Sequence, residues 1–207
     1  MVNIKMVTYD CDGVIFDSGR ANLEYYNYIF KHFNLPTITQ NDTDKLKILH
    51  TYSNDDVLKH FFPEPDEYKK ALEFSKTVDY AMFYKYMTLE KNFFEAAYKL
   101  KEKNILITVA TNRSISFKGI VKFFKLDKVL DDYVTVLDVE KPKPEPDMLL
   151  LLLQRHNIKP KEMIFIGDSM LDLIASQKAK TNFIGYKFFY KNIATIKNHL
   201  EILDFIK

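Results

Sequence analysis

The feature that most constrains this chain is a set of short apolar runs that each stop at a polar, chemistry-bearing residue. Ile4–Tyr9 runs into Asp10-Cys11-Asp12-Gly13, Ile105–Ala110 into Thr111-Asn112, and Met163–Gly167 into Asp168. Runs of about 4–8 β-leaning apolar residues bounded by turn signals read as buried strands. Two further runs, Tyr133–Asp138 and Asn182–Tyr186, have the same form. Helical spacing fills the intervals at Phe93–Lys103, Ser116–Phe124, Asp147–Arg155 and Leu171–Lys180. Strands alternating with helices imply βαβ units on a parallel sheet. The expected fold class is therefore α/β, a Rossmann-like doubly wound parallel sheet of five core strands.

One region breaks the rhythm. Between Gly19 and Tyr86, about 68 residues carry no strand pattern. Ala21–Phe33 places Leu23, Tyr26, Phe30 and Phe33 at helical spacing, and Asp42–His50, Asp55–Phe62 and Pro65–Met87 read as further helices. An insertion that long is a domain rather than a loop. The expected division is a core made of residues 1–18 and 87–207, with a helical domain, residues 19–86, inserted after the first strand. Asn192–Ile206 reads as a last helix.

Charge and cysteine content exclude several function classes. The chain has 30 basic and 28 acidic residues, a net charge of +2, and its only arginines are Arg20, Arg113 and Arg155. Nucleic-acid binding rests on phosphate neutralisation, so no nucleic-acid partner is expected. The single cysteine, Cys11, permits no internal disulfide and no cysteine cage for zinc. The start MVNIKMVTYD has no charged-then-apolar signal pattern, and the longest apolar stretch, Met148–Leu153, is far short of the roughly 20 residues of a membrane span. The expectation is a cytoplasmic protein with no membrane partner, a monomer or a homodimer.

In open parallel sheets, ligands bind beyond the carboxyl ends of the strands. Those ends carry Asp10 and Asp12, Thr111 and Asn112, and Asp168, with Asp172 one helical turn further on and Lys143 in the loop before the fourth strand's helix. If the ends are neighbours, carboxylates converge with no histidine or cysteine among them. Such a cluster needs a cation, and all-oxygen ligands select a hard one, Mg²⁺ by preference. A metal, a lysine and a hydroxyl together can hold a phosphoryl group. The stretch KPKPEPD offers Lys141 as well as Lys143 for the lysine.

The order YDCDGVIFDS, ATNRS, KPEPD, GDSMLD resembles the haloacid-dehalogenase-like phosphatases. The insertion resembles the type-one cap of their phosphoglycolate phosphatase and β-phosphoglucomutase branch. The resemblance implies that Asp10 is a nucleophile forming an aspartyl-phosphate, and that Asp12 is the acid for the leaving oxygen and then the base for water. It further implies that Thr111, with the Asn112 backbone beside it, and Lys143 hold the phosphoryl group, and that Asp10, Asp168 and the main-chain carbonyl of Asp12 hold Mg²⁺. Lys180 and Asn104 stand where relatives often have glycine. The implied activity is Mg²⁺-dependent hydrolysis of a small phosphorylated metabolite. A phosphosugar mutase would use the same intermediate, and a non-enzymatic phosphoacceptor module would share the Asp, Thr, Lys and Mg²⁺ set, but without the second aspartate or the insertion.

Overall fold

The computed structural model describes residues 3–206. Strand β1 (Met6–Tyr9) is followed by the two-residue strands β2 (Phe16–Asp17) and β3 (Thr88–Leu89), which make a small sheet of their own. The remaining strands are β4 (Leu106–Ala110), β5 (Asp132–Val134), β6 (Met163–Gly167), β7 (Asn182–Tyr186) and β8 (Thr195–Ile196). With β1 they form a six-stranded sheet in the order β5-β4-β1-β6-β7-β8, parallel throughout. The five expected strands are present, and β8 is a sixth. Residues 192–206 do not form one helix. After β8, Asn198 accepts the Leu200 N–H and starts a 3₁₀ helix, His199–Phe205.

Helices run α1 (Gly19–His32), α2 (Thr43–Thr51), α3 (Asn54–Phe61), α4 (Pro65–Thr77), α5 (Phe93–Glu102), α6 (Ser116–Phe123), α7 (Asp147–His156) and α8 (Met170–Ala179). The chain divides into two compact units, Ser18–Thr88 and the segments on either side of it. The helical unit has its own core of Tyr26, Ile29, Phe30, Val57, Leu58 and Ala71. The sheet unit packs Met6, Leu149, Leu152, Met163 and Phe165 together. Each side chain of that size, fully buried, contributes on the order of 1.5–3 kcal/mol.

Two expected elements are shorter than their apolar patterns, for the same local reason. The spacing over Pro65–Met87 reads as one helix, but α4 stops at Thr77. Asp79 is extended and accepts the Ala81 N–H, opening a separate 3₁₀ helix, Tyr80–Tyr86. Likewise β5 ends at Val134, where Thr135 and Asp138 exchange side-chain and backbone hydrogen bonds around a 3₁₀ turn. Short polar side chains that bond nearby backbone compete with helix and sheet ladders. Asn104 and Lys180 both have a left-handed backbone, with φ of 58° and 59°. That conformation is why glycine suits these positions.

His199 is fully buried beneath the loop that follows β1, where its Nε2–H donates to the Val14 carbonyl at 2.9 Å. Its Nδ1 has no hydrogen-bond partner among the described residues. Burial lowers the imidazole pKa from 6.5 to about 4, so the ring folds neutral. The unfolded chain therefore takes up this proton first as pH falls. Stability should be complete above the ordinary pKa and decline by about 1.4 kcal/mol per pH unit between roughly 6.5 and 4. In His199→Gln, which keeps a donor for Val14 but cannot titrate, urea midpoints at pH 7 and pH 5 should differ less than in the parent. An equal difference would contradict a neutral buried imidazole.

Candidate active site

Pairing register fixes what the sheet presents at its carboxyl edge. Tyr9 lies opposite Val109 on one side and Ile166 on the other. Asp10 is thus level with Ala110 and Gly167, and Thr111 and Asp168 come one residue later. Three adjacent strands deliver a carboxylate, a hydroxyl and a second carboxylate to one edge. The Asp10 N–H donates to Ile166 O at 2.8 Å, so pairing continues to the site itself.

Lys143 is only 5% exposed. Its Nζ lies 2.7 Å from Asp10 Oδ1 and 2.7 Å from Asp172 Oδ1. Asp172 is fully buried, and its Oδ2 accepts from both the hydroxyl and the N–H of Ser169. Ser169 is in turn the N-cap of α8, so capping that helix also orients the carboxylate that holds the lysine. Asn112 fixes the lysine from the other side. Its amide donates to Lys143 O at 3.0 Å, and its Oδ1 accepts the Lys143 N–H at 3.1 Å. Lys141, two residues earlier, is exposed.

The Asp12 carboxylate takes a different seat. Arg113 Nε and Nη2 donate to its two oxygens at 2.7 and 2.6 Å. Thr111 is buried, and its Oγ1 accepts the Arg113 N–H at 3.1 Å, which leaves the hydroxyl proton for another acceptor. Gly13 turns the loop with φ of 74°, and a Cβ there would come within 1.8 Å of Asp168 Oδ2. Only glycine lets the loop and that carboxylate approach so closely. Cys11 is buried, and burial pushes its thiol pKa up, which keeps it unreactive.

Four carboxylates, Asp10, Asp12, Asp168 and Asp172, face two cationic side chains, Lys143 and Arg113. Burial raises the Asp10 pKa well above the usual carboxylate range, with Asp172, Asp168 and Asp12 adding to the rise and Lys143 opposing it. Burial and Asp172 likewise push Asp168 up to about 7. Burial disfavours the Lys143 ammonium, but Asp10 and Asp172 outweigh it and hold its pKa above the ordinary value. Carboxylate oxygens of Asp10, Asp168 and Asp172 lie within 4.8 Å of one another. An oxygen-only cluster whose carboxyl groups outnumber its cationic side chains by two fits a hard divalent cation.

The structure brings Asp10, Lys143 and Asp168 together, with Thr111 on the adjacent strand. The Asp12 carboxylate does not join the acidic triad, and the Asn112 side chain faces the Lys143 backbone. Asp172, one helical turn beyond Asp168, joins the cluster through Lys143, and Ser169 is the addition. Its signal was present in the sequence as Ser169-x-x-Asp172 ahead of an apolar helix face, a capping-box spacing. Lys143→Ala would leave two buried carboxylates with no cation between them and should cost roughly 3 kcal/mol or more. Lys141→Ala should stay within about 0.5 kcal/mol. Chemical denaturation of the two variants checks this, and equal effects would remove Lys143 from its bridging place.

Residues 7–186 match the sequence profile described as haloacid dehalogenase-like hydrolase. A solved structure from Geobacter sulfurreducens, described as a HAD-superfamily hydrolase of subfamily IA, is 37% identical. It superposes with a TM-score of 0.86 over 99% of this chain and 97% of that one. The pyrophosphatase PpaX of Bacillus mycoides is 22% identical over 95% of this chain and 89% of that protein. A structure from Haemophilus somnus, described as a predicted phosphoglycolate phosphatase, shares the fold, with a TM-score of 0.79 at 21% identity and 99% coverage of both chains.

Proposed function

The chain belongs to the haloacid dehalogenase-like hydrolases, and from that premise we propose that it is a Mg²⁺-dependent phosphatase of small phosphorylated metabolites, working in the cytoplasm through an aspartyl-phosphate on Asp10. One observation carries this reading. Lys143 Nζ bridges Asp10 and Asp172 beside Asp168, so a buried carboxylate at a strand end is held by a cation within a cluster of carboxylates. The helical insertion is read as the cap domain of the family. Pyrophosphate and phosphoglycolate, named for the similar proteins, are the first substrates to assay.

In the first step an Asp10 oxygen forms a bond to phosphorus, and the bond from phosphorus to the leaving oxygen breaks. That oxygen takes the proton of Asp12. In the second step Asp12 removes a proton from water, whose oxygen bonds to phosphorus. The Asp10–phosphorus bond then breaks, releasing inorganic phosphate. Lys143 offsets charge between Asp10 and the phosphoryl oxygens, and the Thr111 hydroxyl donates to one of them. Asn112 acts by holding the Lys143 loop. Asp10, Asp168 and the Asp12 carbonyl would hold Mg²⁺. Asp172 supports them, because both its oxygens are already engaged by Lys143 and Ser169. When bound, the metal would supply positive charge that offsets charge on the phosphoryl group.

The test is metal removal with a panel of phosphorylated metabolites. Chelation should stop turnover, and Mg²⁺ should restore it better than Ca²⁺, which prefers more oxygens at longer distances. Full activity in excess chelator would end the metal-assisted reading.

A further inference from the structure

Within the described residues of the sheet unit, Arg113 is the arginine bonded to a carboxylate of this site, and its geometry is built. Its backbone is fixed at both ends, with the N–H donating to Thr111 Oγ1 at 3.1 Å and the carbonyl accepting the Val136 N–H at 3.2 Å. Its side chain is 9% exposed, against 37% for its partner Asp12. The fork spans two loops 101 residues apart in sequence and occupies both oxygens of Asp12. An exposed ion pair contributes little, but a two-bond fork from a buried, backbone-anchored guanidinium fixes both position and rotation of a carboxylate.

We propose that Arg113 is the positioning residue for Asp12: it seats the carboxylate that serves the leaving oxygen and does not itself bind the substrate anion. This rests on the phosphatase reading above. With the phosphoryl group held by Thr111 and Lys143, the leaving oxygen must meet Asp12 in one orientation. A carboxylate free to rotate on the half-open loop would meet it only some of the time. To act as the acid, Asp12 gives up one fork bond and takes a proton from solvent on the freed oxygen, and the second bond keeps the side chain in reach while that proton passes to the leaving oxygen.

The test uses the full chain with Mg²⁺ and two esters, 4-nitrophenyl phosphate and phenyl phosphate, whose leaving groups differ in their need for a proton. The value read is kcat/KM, which reports steps up to phosphoryl transfer. Arg113→Met should lose roughly 10²-fold on phenyl phosphate and less than about threefold on 4-nitrophenyl phosphate. Arg113→Lys, which offers one bond where the fork offers two, should recover part of the phenyl phosphate loss. The double variant Asp12→Asn/Arg113→Met should be no slower than Asp12→Asn alone, because the arginine acts through the aspartate. The proposal is overturned if Arg113→Met loses equally on both esters while inhibition by inorganic phosphate weakens, which is the behaviour of an anion hook. It is equally overturned if the two losses multiply, or if Arg113→Met is unimpaired. Should Arg113→Met fail to fold, Arg113→Lys decides alone. A loss confined to phenyl phosphate supports the proposal, and any other pattern overturns it. Failure of the underlying reading looks different: Asp10→Asn would then turn over both esters as the parent does, and the proposal would fall with it.

Discussion

Asp10→Asn should leave no measurable turnover of any phosphate ester, with the fold intact. An amide is a poor nucleophile toward phosphorus, and it removes one charge from the cluster that would hold the metal. Uncatalysed phosphate-monoester hydrolysis is so slow that enzymes accelerate it by up to ~10²¹, so losing the attacking group leaves nothing to detect. The fold should survive because Lys143 keeps Asp172 as a partner, and because burial already disfavours the ionised form of Asp10. Thermal unfolding of the variant close to the parent, together with absent activity, is the expected pair of results. More than a few per cent of parent activity would remove Asp10 from the nucleophile's role.

Asp12→Asn should have the second largest effect. General acid–base help is worth roughly 10²–10⁴ in rate, and the asparagine can neither protonate the leaving oxygen nor deprotonate water. The two functions separate by substrate. On phenyl phosphate, kcat/KM should fall by most of that factor. On 4-nitrophenyl phosphate the first step needs little acid help, so kcat/KM should be largely spared while kcat falls, because the second step still lacks its base. Equal losses of kcat/KM on both esters would contradict the acid role.

The strand ends were legible because two physical signals coincide there: an apolar run long enough for a buried strand, and an abrupt change to Asp or Thr. Parallel register then converts sequence position into proximity, which is how Asp10, Thr111 and Asp168 came out as neighbours. The choice between Lys141 and Lys143 was not legible, since both lie in one proline-rich stretch. It is made by Asn112 and Asp172, 31 and 29 residues away in sequence. The Arg113–Asp12 fork depends on two loops brought together by the β1–β4 pairing, so no local spacing announces it. The breaks at Val78–Asp79 and Thr135 were local after all. A short polar residue that caps a new turn outweighed an apolar period that ran through it.

The central claim is that a phosphoryl group is carried on Asp10, and Asp12→Asn offers the most direct view of it. With 4-nitrophenyl phosphate and Mg²⁺, the leaving group departs without acid help, and the missing base slows release of phosphate. A rapid burst of nitrophenolate approaching one per enzyme should precede a slow phase. Acid quenching during that slow phase, followed by mass spectrometry of the peptide containing Asp10, should find the phosphoryl group on Asp10. Continued turnover with no burst and an unmodified Asp10, or a phosphoryl group on another residue, would contradict the account.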